Sequence, residues 1–570
     1  ETWQQVVAPL LRRLGWRILA LPGTSHYGLS VASGSSSAEF SYPSPSPKAS
    51  IIVRSVPWAC HLGAISSPGS CATAVIELVG HLATQEGSWG ILTNGRQWRL
   101  YRSALRDPDV GCTAEETYEV DLGDVVNANI PSNASREAVG TALHHWWTLF
   151  GAEAFGESGL GPSILGRLKR ESADAAWWAT RALRRQVQQV VLPEIAGGFV
   201  AYSLEHLGSK QATEEALASM LRGSVGLVAR LLFVLRAEAV LDLPMHNPDY
   251  RGQSLHTLQR WALDQVQRTH PLSRSLSATS RYDAVLALFR RLEHGDARLG
   301  HSGLHGGLFS PLDRDQGFLS RHRLSDRVMA RALAALGEVD GTRVDYTGLS
   351  VRHLSAVCEG LVESSLWVVE ASAGQVALVS DRGVPQTVGS EPIPDHIGVS
   401  AVDRAIDQAL EERAGDFESA MVRVVALRRA MQTGDGSKAT AEVEPISESA
   451  LRDVEKAALD ALLTVRVLDP AMRGGGLLLT ALDGLVDGIM RILAAYHAAH
   501  PRVPWEWNPV FRALRSPPIE TVNQEPLGGL GDDLMRSDVG SRLTRLVAQR
   551  CLYGVDLNPD VVTMARATLQ

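Results

Sequence analysis

The stretch VLDPAMRGGGLLLTAL, Val467 to Leu482, constrains the fold more than any other part of this 570-residue chain. A short apolar run ends in Asp469 and meets a proline. Three consecutive glycines follow, and then an apolar run at helical spacing. A strand that delivers a carboxylate to a tight small-residue turn at a helix N-terminus is how a doubly wound sheet approaches a nucleoside. Side chains in such a turn occupy the space a ligand needs. The pattern recurs at RCLYGVDLNPDVVTMARATL, where Asp556 ends a second strand and offers a carboxylate to both hydroxyls of a ribose. The two aspartates are 87 positions apart (556 minus 469), against roughly 20 in a dinucleotide fingerprint. That spacing removes the NAD-type reading and leaves two others, a nucleoside site and a merely tight turn.

The rest of the chain has to house this unit. Its length suffices for roughly three or four domains. From residue 1 to about 130 the opening ETWQQVVAPLLRRLGW reads as a helix. Strands follow at YGLSV, ASIIVRSV, WGILTNGRQWRLYRS and ETYEVDL, with the helix CATAVIELVGHLAT between the second and third. From 131 to 385 amphipathic runs such as SVGLVARLLFVLRAEAVL predict a helical module. From 386 to 570 two helices precede the strand VRVLDP, a long helix, the crossing PRVPWEWNP, another helix and the second strand.

No uninterrupted apolar run approaches the roughly 18 residues of a membrane span, and the N-terminus lacks the marks of a signal peptide. Five scattered cysteines without CxxC spacing support neither a disulfide framework nor a zinc site, so a cytoplasmic location is expected. The net charge of -8 excludes a globally basic nucleic-acid binder but permits one basic face. Only five of the 55 basic residues are lysine, an arginine bias that weakens inferences from arginine clusters alone.

VLDPAMRGGGLLL followed at a distance by RCLYGVDLNPDVVTMARATL resembles motif I and the next acidic motif of the adenine-specific, S-adenosylmethionine-dependent DNA methyltransferases. It is most similar to the large type IIG restriction-modification and phage-defence enzymes. VVAPLLRRLGW resembles their opening helix and SWGILTNGRQWRLYR the end of their N-terminal nuclease-type domain. SLEHLGS, RLLFVLRAEAVLDLP, GLHGGLFSP and VDYTGLSVRHLSAVCEGLVE resemble successive landmarks of their helical spacer. The resemblance implies an α/β plus all-α architecture: a degenerate PD-(D/E)xK-like α/β domain (1–130), a helical spacer (131–385) and the N-terminal part of a Rossmann-like methyltransferase domain (386–570). It implies S-adenosylmethionine as cofactor, DNA and other defence proteins as partners, and no membrane. Asp469, Pro470, Ala471, Gly474 and Gly475 are expected to cradle the methionine end, and Asp556 to hold the ribose.

Three places depart from the family pattern. Motif I usually reads DPAxGSG, and here the first glycine is Arg473 and the serine is Gly474, so the arginine either swings into solvent or fills the pocket. The upstream GSYYTP-like motif is GSEPIPDHI: Gly389, Ser390 and Pro394 are kept, while Glu391, Pro392 and Ile393 replace residues that close over the cofactor. In the nuclease strand IIVRSVPW, Arg54 stands at the metal-binding glutamate and Val56 at the lysine. No acidic residue occurs from Tyr42 through Ser70, so neither metal binding nor cleavage is expected there. The Asn/Asp-Pro-Pro-aromatic tetrapeptide that receives the target base is absent, and in the family it follows the position of Gln570. No catalytic residue is therefore expected in this stretch. The function implied is methyl transfer to adenine in DNA if the cofactor site works, and the alternative is a non-catalytic, methyltransferase-derived DNA-binding scaffold.

Other candidates have bland readings beside them. Arg167, Lys169, Arg170, Arg181, Arg184 and Arg185 fall on one helix that can track DNA phosphates, or can simply be a solvated face. Arg96, Arg99 and Arg102 offer a weaker DNA contact, and Trp98 beside them reads as core. NPDY (Asn247 to Tyr250) and NPVF (Asn508 to Phe511) imitate the missing tetrapeptide and read as loops. His301 and His305 lie in a stretch too rich in glycine for a helical metal site.

Overall fold

The computed structural model describes residues 1–20, 27–31, 51–60, 62, 71–82, 89–102, 118–123, 133–155, 163–206, 214–240, 243–267, 278–296, 298–299, 303, 308–309, 314–362, 364–370, 375–380, 395–433, 447–515, 539–557, 562 and 565. The described chain is mixed α/β and mostly helical.

A π-helical turn, Trp3–Val7, leads into α1 (Ala8–Arg13), and Gly15 then turns the chain at φ +86° into β1 (Trp16–Ala20). β2 (Tyr27–Val31), β3 (Ile51–Ser55), α2 (Cys71–Leu82), β4 (Trp89–Thr93), β5 (Gln97–Arg102) and β6 (Tyr118–Asp121) follow. The six strands form one sheet in sequence order. Every neighbour is antiparallel except β3 and β4, which run parallel with Ile51 opposite Trp89. A hairpin cannot join parallel strands, and α2 is the crossover that does.

Period-two alternation fills both faces of this sheet. Ile51, Val53, Ile91, Trp98 and Leu100 meet Val7 and Leu11 on one side. Ile52, Leu92 and Tyr101 meet Val75, Leu78 and Leu82 of α2 on the other. The first face is closed by Trp146 and Phe150 of α3 (Asn133–Phe150) and by Leu165 of α4 (Ile164–Gln186), so this core reaches well beyond residue 130. Strand β1 begins at Trp16, where the expected opening helix ends, and is not among the expected strands; a left-handed glycine ends the helix and WRILA continues as a strand.

The helical module comprises α5 (Leu192–His206), α6 (Glu214–Ala239), α7 (Pro248–Arg251), α8 (Leu255–Gln267), α9 (Ser280–His294), α10 (Arg314–Arg321), α11 (Asp326–Gly337) and α12 (Val351–Val362). One core runs through it from Ala182 to Cys358. Helix α6 is the one described helix long and apolar enough to cross a membrane, yet 72% of its apolar window is buried inside the protein. It serves as the central core helix. Two arginines on it join stretches far apart in sequence: Arg230 Nε donates to Leu308 O (2.8 Å) and Arg236 Nε to Leu349 O (3.0 Å). The buried Glu238 accepts from Tyr250 Oη and from the amides of Leu255 and His256, which caps α8 from another helix.

The module is not helical throughout. A minimal hairpin, β7 (Glu338–Val339) with β8 (Thr342–Arg343), follows α11, and a longer one, β9 (Ser364–Glu370) with β10 (Gln375–Ser380), lies against α6 and α5. Short apolar runs carry too few turns for periodicity to separate strand from helix.

The last region contains α13 (Asp395–Thr433), α14 (Glu448–Leu463), β11 (Val467–Asp469), α15 (Gly476–Ala499), a 3₁₀ turn (Trp505–Trp507), α16 (Pro509–Arg515), α17 (Val539–Cys551) and β12 (Leu552–Gly554). Its core takes in Ile76 of α2, so the N-terminal sheet is docked onto it. At that contact a Cβ on Gly80 would lie 2.0 Å from the Ala494 Cβ, and only glycine lets α2 and α15 close. Cys358 and Cys551 are free and buried. Cys60 is disulfide-bonded, where the scattered cysteines gave no expectation of a disulfide framework.

Candidate functional site

The parallel pairing of β11 with β12 sets Val467 opposite Leu552 and Asp469 opposite Gly554. This register brings Asp469 and Asp556 to the same end of the pair. Val555 N donates to Asp469 O (2.9 Å) and Met472 N to Val555 O (3.1 Å), so the turn after β11 remains laced to the chain leaving β12. Asp469 Oδ1 accepts from Ala471 N (3.0 Å), and Asp556 Oδ2 accepts from Arg473 N (3.2 Å). Gly475 N closes the turn onto Met472 O (2.8 Å), and Leu479 N returns to Gly475 O as α15 begins. Both carboxylates are thus half-buried and fastened to the turn between them.

Arg473 is exposed and adopts φ +47°, the left-handed region that favours glycine. The turn thus has a glycine-like backbone at a residue that is not glycine. Of the two fates expected for the side chain, the structure has the one directed into solvent, and among the described residues it bonds to nothing. Gly475 also has positive φ (+86°), and beside it a Cβ on Gly476 would meet nothing within 4 Å among the described residues. Among these residues, then, space is left in front of the α15 N-terminus, where backbone amides face outward. Behind the turn, Met472 packs with Leu478 and Ala565. A Cβ on Gly554 would strike the Met472 sulfur at 2.0 Å, so glycine at the end of β12 is a packing requirement.

A support absent from the sequence reading comes from α12. Ser355 Oγ donates to Gly474 O (2.9 Å) in a buried contact, and Arg352 pairs with Asp483 two turns into α15. Both residues belong to the spacer landmark VDYTGLSVRHLSAVCEGLVE. No signal in the sequence connects them to a loop more than 100 positions away. Of the remaining expected cofactor residues, Pro470 and Ala471 are exposed and Gly474 is buried in the turn. Pro394 lies outside the described residues, as do Gly389, Ser390, Glu391, Pro392 and Ile393; the helix that follows them starts at Asp395.

In the N-terminal sheet, Arg54 of β3 forms an ion pair with Glu77 of α2 (3.0 Å). Burial raises the Glu77 carboxyl above its ordinary range, opposed by the Arg54 charge and by a hydrogen bond with the Trp505 side chain. Position 54 is therefore occupied by part of the seam joining the sheet to the last region. Among the described residues no group of three His, Cys, Asp or Glu side chains is placed to hold a metal.

The basic helix is α4. Arg167, Arg170, Arg181 and Arg185 are exposed on it and Arg184 is half-buried, while the Lys169 side chain lies outside the described set. Arg96 and Arg99 are instead paired with Asp121 and Glu119 along the sheet, and Trp98 is fully buried against Trp146 and Phe150. The two imitation tetrapeptides are helix starts and not loops. Asn247 Oδ1 accepts from Asp249 N at the head of α7. Asn508 Oδ1 accepts from Val510 N and Phe511 N at the head of α16. In each, proline follows at the first helical position, where its missing N–H costs nothing. Buried Asn508 also contacts His497, a ring stacked on Trp505 whose pKa burial pushes down to about 4. His301 and His305 lie outside the described residues.

No protein-family model, curated protein or solved structure matches the chain.

Proposed function

We propose that this chain is a DNA methyltransferase-like protein of a bacterial restriction-modification or phage-defence system, with its cofactor site at the turn between β11 and α15. One observation carries the reading. Two aspartates 87 positions apart meet at one end of a parallel strand pair, across a left-handed turn that opens onto a helix N-terminus. That donor set suits a nucleoside with an amino-acid arm: Asp556 accepts from the ribose hydroxyls, and Asp469 and the amides of the turn hold the methionine end. S-adenosylmethionine bound there would supply the methyl group for an adenine amino group in DNA. The chain's own residues bind and orient; the base-receiving chemistry lies in none of them.

The topology of the N-terminal sheet, with three antiparallel strands, a crossover helix and a parallel fourth, supports a degenerate PD-(D/E)xK-like domain. A cytoplasmic location, where DNA is met, goes with the reading. Titration calorimetry with S-adenosylmethionine tests it. Binding is expected, and Asp556→Ala should weaken it at least tenfold, the loss of charge-assisted hydrogen bonds worth about 1.5–3 kcal/mol.

A second reading, a non-catalytic scaffold that keeps the DNA-binding architecture, is favoured by the ion pair that Arg54 makes with Glu77 inside the N-terminal domain and by the altered GSEPIPDHI motif. Absence of calorimetric heat with a folded chain selects it.

A further inference from the structure

Helix α4 is buried only at its ends. Among the described side chains between Leu165 and Thr180 none is buried; one side of this stretch faces solvent and the other meets α12. Arg167, Arg170, Asp174, Trp178, Arg181 and Arg185 follow one another at steps of three and four, which places them along one face roughly 27 Å long. Leu183 points the other way, into the helical core, and Ala182 is buried where the exposed face nears its C-terminal end.

Trp178 sits within this face and is 70% exposed, the largest exposure of any tryptophan described. Its neighbour Trp177 is turned toward α12 and meets the His353 ring edge-on at 5.1 Å. Trp178 meets no other ring among the described residues. Around it, the side chains of Arg167, Arg181 and Arg185 form no ion pair or hydrogen bond among the described residues, although the chain carries 63 acidic residues to 55 basic ones. Arg170 Nε bonds back to Gly166 O (3.3 Å). The helix as a whole has six basic and two acidic residues, a local charge of +4 (6 minus 2) on a chain of net -8.

We propose that this face binds single-stranded DNA, the four arginines lying along phosphates while Trp178 stacks on an unpaired base. Arginines alone would serve a duplex equally well, since phosphates are on its outside. An exposed indole between them has no use there, because duplex bases already occupy each other's faces. On a single strand the indole stacks on any base, and the resulting contact tolerates all sequences. The inference rests on DNA as the substrate in the proposed function, but it uses none of the cofactor residues. A melted or displaced strand is the form of DNA that a helix of this kind holds.

The test is fluorescence anisotropy of the full chain with a labelled oligo-dT strand and with the matching duplex, over a range of salt. The single strand is expected to bind more tightly. Trp178→Ala should weaken it about 5- to 100-fold, the range of one lost base stack. Trp178→Phe should restore most of the affinity, and duplex binding should change less than about twofold in either variant. Replacing all four arginines with alanine should reduce the slope of log affinity on log salt by about 3, at roughly 0.7 per phosphate contact. Unchanged single-strand binding by Trp178→Ala, or an equal loss on the duplex, overturns the proposal. Failure to bind either DNA at low salt also overturns it and leaves the face to a protein partner. If S-adenosylmethionine binding fails while oligo-dT binding behaves as expected, the enzymatic part of the proposed function falls and this inference stands.

Discussion

Under the proposed function, Arg54 and Arg473 stand where a metal-binding glutamate and a glycine of the cofactor turn would be expected. Their surroundings differ. Arg54 is largely buried on the central parallel strand pair and ion-paired to Glu77, a residue also bonded to Trp505 of the last region. Arg473 is exposed, its side chain bonds to nothing described, and its backbone holds the left-handed conformation a glycine would hold. The first arginine is part of how the molecule is assembled. The second holds a glycine-like backbone without a described side-chain partner. Two arginines in one chain thus differ in how much else depends on them.

The largest effect should come from breaking the Arg54 pair. Arg54→Met leaves Glu77 without its cation in a half-buried seam and should cost about 3 kcal/mol, read from the urea midpoint. The double variant Arg54→Met/Glu77→Leu should recover most of the loss; if it recovers none, Arg54 stabilises the seam through packing and not through its charge. The same variant sharpens the comparison through pH. Burial holds the Glu77 carboxyl above its unfolded value, so folding favours its protonated form. That contribution is fully present below the unfolded value and is lost as pH rises through the folded one. Without Arg54 to oppose burial, the folded value climbs further, and the fall in stability should extend to higher pH in Arg54→Met than in the parent.

A smaller loss is expected where α2 meets α15. Gly80→Ala places a methyl group against Ala494 and should cost about 1–3 kcal/mol as the helices part. A cost near zero would mean that the seam is loose and that Arg54 matters only inside its own sheet. The smallest effect should be at the turn. Arg473→Gly removes a left-handed non-glycine conformation at the expense of a more flexible unfolded chain, and should raise stability by about 0.5–1 kcal/mol. A clear loss of stability would show that the arginine has a partner and would erase the contrast with Arg54.

Much of this architecture was legible because local chemistry sets it. The turn after Asp469, the alternation of IIV in β3 and GIL in β4, and the burial of Trp98 each follow from a few adjacent residues. Where short apolar runs allow two periods the reading failed, at β1 and at the β9–β10 hairpin. The motif imitations at Asn247 and Asn508 misled for another reason. An N-cap asparagine followed by proline uses the same dipeptide as a base-receiving loop, and only the downstream amides tell them apart.

The sequence by itself determined that a strand, a small-residue turn and a helix stand at residues 467 to 482, that a second acidic strand end follows, and that no carboxylate stands from Tyr42 through Ser70 around β3. Periodicity and turn chemistry act over a few residues, so these need no partner from elsewhere. Only the tertiary structure decided that Asp556 bonds to the Arg473 amide, that Ser355 steadies Gly474, and that Arg54 is joined to Glu77. It also decided that Trp178 stays in solvent while its neighbour packs. Each of those outcomes depends on which side chain is brought near from a distant part of the chain, and burial and electrostatics act there through space, beyond the reach of local sequence spacing.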